Sequence, residues 1–124
     1  ISVREINPLA VSFGYKALGT GQNSGSVNWT ADANNGILMQ SGTNDFTFTQ
    51  EEGGTVDNVT GGSYTSGINV PVSIASRHGS TFVNGAVAGT ALTANTTPTA
   101  FPDLSTTDLI IAPSGDTGMD ETST

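Results

Sequence analysis

The chain has 124 residues, no cysteine, 16 glycines and a formal net charge of −8, with three basic and eleven acidic side chains. That length allows one domain, and the missing cysteines exclude disulfides, thiolate metal sites and a cysteine nucleophile. The scarcity of Lys and Arg argues against binding to nucleic acid or to an anionic membrane surface, because both need clustered positive charge. No apolar run approaches the ~20 residues that a membrane-spanning helix requires. Gly, Ser, Thr and Asn make up roughly half of the chain, which is typical of a β protein with many turns.

The first half of the chain consists of short apolar runs separated by turn residues, a pattern that predicts an all-β fold. Apolar and polar residues alternate over 9–17 and over 26–31, which predicts two half-buried strands. Asn35-Gly36 is a strong signal for a two-residue hairpin turn. The further strands predicted in this half are 37–40, 46–49 and 55–59.

The second half begins with an apolar side chain at every second position from Ile68 to Ile74, which predicts an inward-facing row with His78 on the same face. Pro71 cannot donate a ladder hydrogen bond, so this strand is expected at a sheet edge or to begin beyond the proline. Asn84-Gly85 predicts a second hairpin turn, between strands at 81–83 and 86–87.

The C-terminal third is predicted to contain a long surface connection and one last strand. Residues 93–102 are rich in Thr and Pro, residues 102–107 fit either a short helix or a turn, and 109–112 fit a strand. Residues 113–124 hold one apolar anchor and are expected to be extended or frayed. The predicted organisation is therefore a single domain over 1–112 followed by a tail over 113–124.

Residues 67–112 hold a characteristic order of motifs. The segment 74–85 reads Ile-Ala-Ser-Arg-His-Gly-Ser-Thr-Phe-Val-Asn-Gly and is followed by Thr97-Pro98 and by a Leu-Ile-Ile-Ala strand. This order of motifs resembles the central hairpin of a concanavalin A-like (laminin-G-like) jelly roll. More narrowly, it resembles the laminin-G-like domains of tailed-phage virion proteins. The resemblance implies an antiparallel β-sandwich. Residues 113–124 lack the alternation of a closing strand, so the sandwich is expected to be incomplete or to be completed by a neighbouring chain.

Catalytic residues are sparse. His78 is the one histidine, and its place at the end of the apolar row favours a histidine at the rim of the sandwich over a catalytic base. Glu51 and Glu52 are adjacent, so on a strand they point to opposite faces and cannot form an acid–base pair of the glycosidase type. The sequence therefore predicts a protein that is not an enzyme.

Four residues are candidates for contacts with a ligand or partner: Tyr64, Trp29, His78 and Asn84. Tyr64 lies in a glycine-flanked loop, where a tyrosine is well placed to meet a partner, whereas Trp29 is in phase with Val27 and fits the core better. No metal site or cofactor is predicted. Ca²⁺ is the one ion that the resemblance allows, but neither Asp57-Asn58 nor the acids of 116–121 have a defined ligand spacing.

Two functional hypotheses from different classes follow. The first is a structural protein of a tailed-phage virion, such as a head decoration, a fibre or a tail-associated module, that assembles with other virion proteins or with copies of itself. The alternative is a carbohydrate-binding adhesion module that recognises host-surface glycans. Both place the protein on the virion surface or otherwise outside the cell, and neither involves nucleic acid or a membrane.

Overall fold

The computed structural model describes residues 9–16, 24–41, 45–62 and 71–111. In these ranges all regular secondary structure is β-strand, and all strand pairs are antiparallel. This confirms the predicted all-β, antiparallel fold class. No helix in this part of the chain is long and apolar enough to cross a membrane. The strands are β1 (Leu9–Lys16), β2 (Ser24–Asp32), β3 (Asn35–Ser41), β4 (Phe46–Glu52), β5 (Thr55–Gly61), β6 (Pro71–Gly79), β7 (Phe82–Val87), β8 (Thr90–Ala91) and β9 (Ile110–Ile111).

The strands form two sheets. One sheet has the order β1-β6-β7-β8 and the other has the order β5-β4-β3-β2-β9. Strand β7 of the first sheet packs against β4 and β5 of the second. The space between the sheets is filled by a cluster of fully buried apolar side chains: Val27, Met39, Phe46, Phe48, Ile74 and Val87.

The alternation in the sequence is realised as in-register rows across the five-stranded sheet. Phe48 pairs with Met39 on one side and with Val59 on the other, and Met39 in turn pairs with Val27. All four side chains are buried. Successive residues of a strand point to opposite faces of the sheet. The four side chains of this row therefore all lie on the face that packs into the core.

The predicted turn at Asn35-Gly36 is wrong by two residues. The turn is Ala33-Asn34, and Asn35 is already the first residue of β3, paired with Asp32. The Asp32 carboxylate accepts hydrogen bonds from the Asn34 backbone N–H (2.7 Å) and from Asn35 Nδ2 (2.9 Å), which stabilises this tighter turn. Gly36 is required for packing, because a Cβ there would collide with the side chain of Thr30.

The predicted turn at Asn84-Gly85 is also wrong, since both residues lie inside β7. The hairpin turn between β6 and β7 comes earlier, at Ser80-Thr81. A Cβ on Gly85 would fall among the ring carbons of Phe48 from the opposite sheet. The glycine therefore lets the two sheets approach each other, and the Asn-Gly dipeptide has no turn role here.

Strand β6 lies between β1 and β7 rather than at an edge, and Pro71 is its first residue. A proline is tolerated at a strand's first position because its missing N–H is lost where the ladder begins. Both Ile74 and His78 are buried on the inward face, as their spacing predicts. Residues 102–107 form a turn, closed by a hydrogen bond from Thr107 N–H to Leu104 O (3.2 Å), and not a helix.

Candidate functional site

A long connection crosses one end of the sandwich, from β8 to β9. We call residues 95–107 the strap. It starts at Asn95, whose backbone N–H and C=O both pair with Val83 of β7 at 2.9 and 2.8 Å. It then passes over the five-stranded sheet and leads to β9 on the far edge of that sheet.

Three side chains of the five-stranded sheet hold the backbone of the strap. Asp57 Oδ2 accepts from Thr99 N–H (2.7 Å), Gln50 Nε2 donates to Ala100 O (2.6 Å), and Trp29 Nε1 donates to Thr107 O (3.0 Å). With Ile37, the three form one cross-strand row, in the order Trp29, Ile37, Gln50 and Asp57. This row is next to the apolar Phe48 row. The polar groups of Trp29, Gln50 and Asp57 hold the strap across the end of the sandwich.

Gln50 is the central anchor of the strap, and the sequence analysis missed it. Its side chain is completely buried, and Nε2 also donates to Gly79 O (3.1 Å) of the opposite sheet. Its Oε1 is buried without a hydrogen-bond partner. The sequence signal that could have revealed it is its phase, because Gln50 continues the inward row of Phe46 and Phe48.

His78, which the sequence predicts at the rim of the sandwich, is completely buried. Its Nε2 is 3.0 Å from Ser76 Oγ, and its Nδ1 is buried without a partner. Burial disfavours the charged imidazolium and lowers the pKa of His78 to about 4. At neutral pH the ring is therefore uncharged and shielded from solvent, and it shares a hydrogen bond with the Ser76 hydroxyl.

The other sequence-predicted site residues are not brought together. Trp29 is half-buried and engaged with the strap, while Asn84 faces the outer surface of the four-stranded sheet, directly opposite Arg77 on β6. Asn84 Oδ1 accepts from the Gly85 backbone N–H (2.8 Å). Tyr64 lies outside the described residues. The assignment of these four residues to a ligand or partner thus stays a prediction.

An open groove of about 580 Å³ runs between β5 and the chain that leaves β8. One wall is Asn58, Val59 and Thr60, and the other is 91–95. Asp57 joins the two walls from behind, because its Oδ1 accepts from Asn95 Nδ2 (3.2 Å). The side chains of Asn58, Thr60 and Thr93 are exposed and offer hydrogen-bonding groups to a ligand.

The described residues contain no cluster of three His, Asp or Glu side chains that could hold a metal ion. Of the sequence candidates, the Asp57 carboxylate is engaged by the strap through both oxygens. The acids of 116–121 lie outside the described residues.

The far edge of the five-stranded sheet carries exposed apolar side chains. Strand β9 pairs with β2 through only two of the nine residues of β2. Leu109 and Ile110 are 44% and 49% exposed. Among the described residues the other large apolar side chain with comparable exposure is Val56, on the opposite edge strand β5.

Comparison with known proteins identifies the fold. No protein-family model and no curated protein sequence matches the chain. Among solved structures, domains LG4-5 of the mouse laminin α1 chain superpose with a TM-score of 0.69 at 11% identity, over 86% of this chain and 28% of the laminin chain. A carbohydrate esterase from the Shiga toxin-encoding bacteriophage phi24B gives a TM-score of 0.45 at 15% identity, over 76% of this chain and 53% of the esterase.

The class of fold is thereby defined as a laminin-G-like jelly roll, as predicted from residues 67–112. At 11% identity the laminin match establishes the fold and leaves function to be argued from the site residues.

Proposed function

We propose that this protein is a non-enzymatic assembly module of a tailed-phage virion, which binds a neighbouring protein chain along the β9 edge of its five-stranded sheet. The virion context rests on the resemblance of residues 67–112 to laminin-G-like domains of phage virion proteins. The single structural observation that supports assembly is the exposed apolar pair of Leu109 and Ile110, of which Ile110 begins the two-residue edge strand β9 and Leu109 directly precedes it.

An edge of this kind favours pairing with a further strand. β9 covers two residues of β2, so most of that side of β2 has no strand partner within the described ranges. Soluble proteins commonly protect such edges with charges, prolines or covering segments, because unpaired backbone groups are a template for another chain. Two exposed aliphatic side chains at the same place add apolar area that association would bury.

The surroundings of His78 and Asp57 support the proposal that the protein is not an enzyme. His78 is buried, and its lowered pKa keeps it uncharged, so it does not meet a substrate. Both carboxylate oxygens of Asp57 already accept hydrogen bonds, from Asn95 and from Thr99. Both groups therefore have structural roles, whereas general acid–base chemistry needs a group within hydrogen-bond reach of a substrate.

Light scattering after size exclusion tests the assembly. The wild-type chain is expected as a dimer or larger species, and Ile110→Lys as a monomer, because a buried unpaired charge would oppose the contact. Val56→Lys is the matched control, since Val56 has similar exposure on the opposite edge strand and should keep the wild-type mass. A monomeric wild-type chain, or the loss of assembly in Val56→Lys instead, contradicts the proposed edge.

A carbohydrate-binding module is the second candidate, and the groove beside β5 is the observation that favours it. Exposed Asn58, Thr60 and Thr93 can donate to and accept from sugar hydroxyls, and the volume of about 580 Å³ is in the range of ligand pockets. A glycan array, run with and without Ca²⁺, tests it. Binding lost in Asn58→Ala supports the groove, and an array without hits rejects it.

A further inference from the structure

We infer that the outer face of the four-stranded sheet carries a recognition site for a carboxylated sugar, formed by Arg77 and Asn84. This site lies on the opposite sheet from the β9 edge, so it is independent of the proposed assembly contact. Arg77 on β6 and Asn84 on β7 are direct cross-strand partners. Their side chains share one face, because Ser76 and Gly85, their buried neighbours, face the core.

Both side chains present hydrogen-bond donors. Arg77 is exposed, and its guanidinium lies over the ring of Phe82, 4.8 Å from the ring centre. No carboxylate in the described part of the chain pairs with it. The Oδ1 of Asn84 is already engaged by the Gly85 N–H, which leaves the Nδ2 donors for a ligand. A planar fork beside an amide NH₂ is a donor set that matches the two oxygens of a carboxylate.

The net charge of the molecule favours a singly charged anion over a polyanion as the ligand of this site. The net charge of −8 repels polyanions over long range, so a phosphate-rich or heavily sulfated chain would approach unfavourably. Arg77 supplies one positive charge, which a single carboxylate neutralises. The stacking on Phe82 holds the guanidinium in place and lowers the conformational entropy lost on binding.

The sheet surface next to Arg77 fits a sugar ring better than a protein partner. Ala75 and Ala86 are cross-strand partners in the adjoining row of the same face, both half-buried, about 7 Å along the strands from the Arg77 row. Small methyl groups leave a shallow flat area on which the apolar face of a sugar ring can lie. Large apolar anchors, which protein interfaces generally need, are exposed in the described residues on or directly beside the other sheet: Val56, Leu109 and Ile110.

The test is a titration of the wild-type chain with methyl β-D-glucuronide and with methyl β-D-glucoside, followed by NMR chemical shifts. The two sugars differ at C6, where the glucuronide carries a carboxylate and the glucoside a hydroxymethyl group. We expect the glucuronide to bind about tenfold or more tightly than the glucoside, the range given by one charge-assisted bidentate contact. Shifts should centre on Arg77, Asn84 and Ala86.

Variants separate the site from general charge effects. Arg77→Gln should reduce glucuronide binding to the level of the glucoside, and Asn84→Asp should abolish it by placing a carboxylate against the ligand. Arg77→Lys keeps the charge but loses the planar fork, so it should bind more weakly than the wild type. Lys16→Gln is the matched control, because it removes one positive charge at the other end of the β1–β6 pair, where Lys16 is opposite Pro71.

Three results would overturn the assignment. The first is equal binding of the two sugars. The second is a loss of binding in Lys16→Gln as large as that in Arg77→Gln. The third is tighter binding of a short glutamate-ended peptide than of the glucuronide, which would point to a protein carboxylate instead. The mass of Arg77→Gln in solution should equal that of the wild type, so failure here is distinguishable from failure of the assembly proposal.

Discussion

The ring of Phe48 lies against the Cα of Gly85 on the opposite sheet, in the space that a Cβ on Gly85 would occupy. Phe48 is completely buried and belongs to the central apolar cluster, so the ring has no room to withdraw. This one contact sets how closely β4 and β7 approach each other. It also explains why a glycine stands in the interior of a strand, where glycine is otherwise unfavourable.

Replacing Gly85 by alanine is therefore expected to destabilise the fold strongly. The added methyl group must displace the Phe48 ring or separate the sheets, an overpacking that costs about 3 kcal/mol. Urea unfolding measures the loss. Ser73→Ala, at an exposed position of β6, is the control and should stay near the wild-type stability. In the double variant with Phe48→Leu, the total cost should be smaller than the sum of the single costs, because the smaller side chain makes room.

Replacing Gln50 by leucine tests the central anchor of the strap. The substitution leaves the Gly79 and Ala100 carbonyls without their donor, and the expected cost is about 2 kcal/mol. The free energy of unfolding in urea checks it. Gln40→Leu is the matched control, because Gln40 is exposed on β3 and its loss should change stability little. A Gln50→Leu variant as stable as the control would mean that the strap needs no polar anchor.

Stability should fall as the pH drops from about 6.5 towards 4, because His78 is buried in its neutral form. The pKa of His78 is lowered from 6.5 to about 4 in the folded state, so between these values the unfolded chain binds more protons and acid favours unfolding. The full difference corresponds to about 3 kcal/mol. Urea unfolding at a series of pH values measures it, with His78→Met expected to show a flatter profile over this interval.

The carboxylates act in a lower pH window and can be told apart from His78. Hydrogen bonds from Asn34 and Asn35 lower the pKa of Asp32, and those from Ser105 lower the pKa of Asp103. A lowered carboxylate pKa stabilises the fold above the ordinary value of 3.8, and that contribution is lost only as the pH falls below it. A His78→Met variant that kept the whole wild-type loss between pH 6.5 and 4 would contradict the assignment to the histidine.

Replacing Asp57 by alanine should loosen the start of the strap and the groove wall together. The variant removes the acceptor for Thr99 N–H and for Asn95 Nδ2, and about 1–3 kcal/mol of stability is expected to be lost. Amide hydrogen exchange of Thr99 should accelerate. Asp103→Ala is the control within the strap, because the Asp103 carboxylate accepts hydrogen bonds from the nearby Ser105 and should leave the exchange of Thr99 unchanged.

Local alternation predicts most of the strands but not their turns. Period-two patterns place β1, β2, β3 and β4 close to where they lie, because burial of one face leaves a direct trace in the sequence. Strand β7 is instead predicted as two strands, 81–83 and 86–87, because the Asn84-Gly85 dipeptide inside it predicts a turn. The two turns that the Asn-Gly dipeptides predict are wrong for one physical reason. Gly36 and Gly85 are needed where another chain segment approaches the backbone, from Thr30 and from Phe48 respectively, and such approaches join residues that local patterns do not relate.

The strap and the groove could be predicted only in part. Residues 93–102 were recognised as a connection, but its anchors come from three different strands of one sheet. Gln50 and Asp57 are polar residues in strands, and their partners are backbone atoms 50 and 42 positions away along the chain. The pairing of Arg77 with Asn84 likewise depends on the true position of the β6–β7 turn, which the misread dipeptide concealed.

The short pairing of β9 with β2 would let copies of this chain swap this strand. A strand held by two residue pairs can leave β2 at little cost, whereas the strap behind it stays fastened by Trp29, Gln50 and Asp57. Detachment thus frees one end of a tethered strand without opening the core. When two copies of the chain meet, this strand can pair with the β2 of the other copy, and a reciprocal exchange would link the copies while each sandwich stays intact.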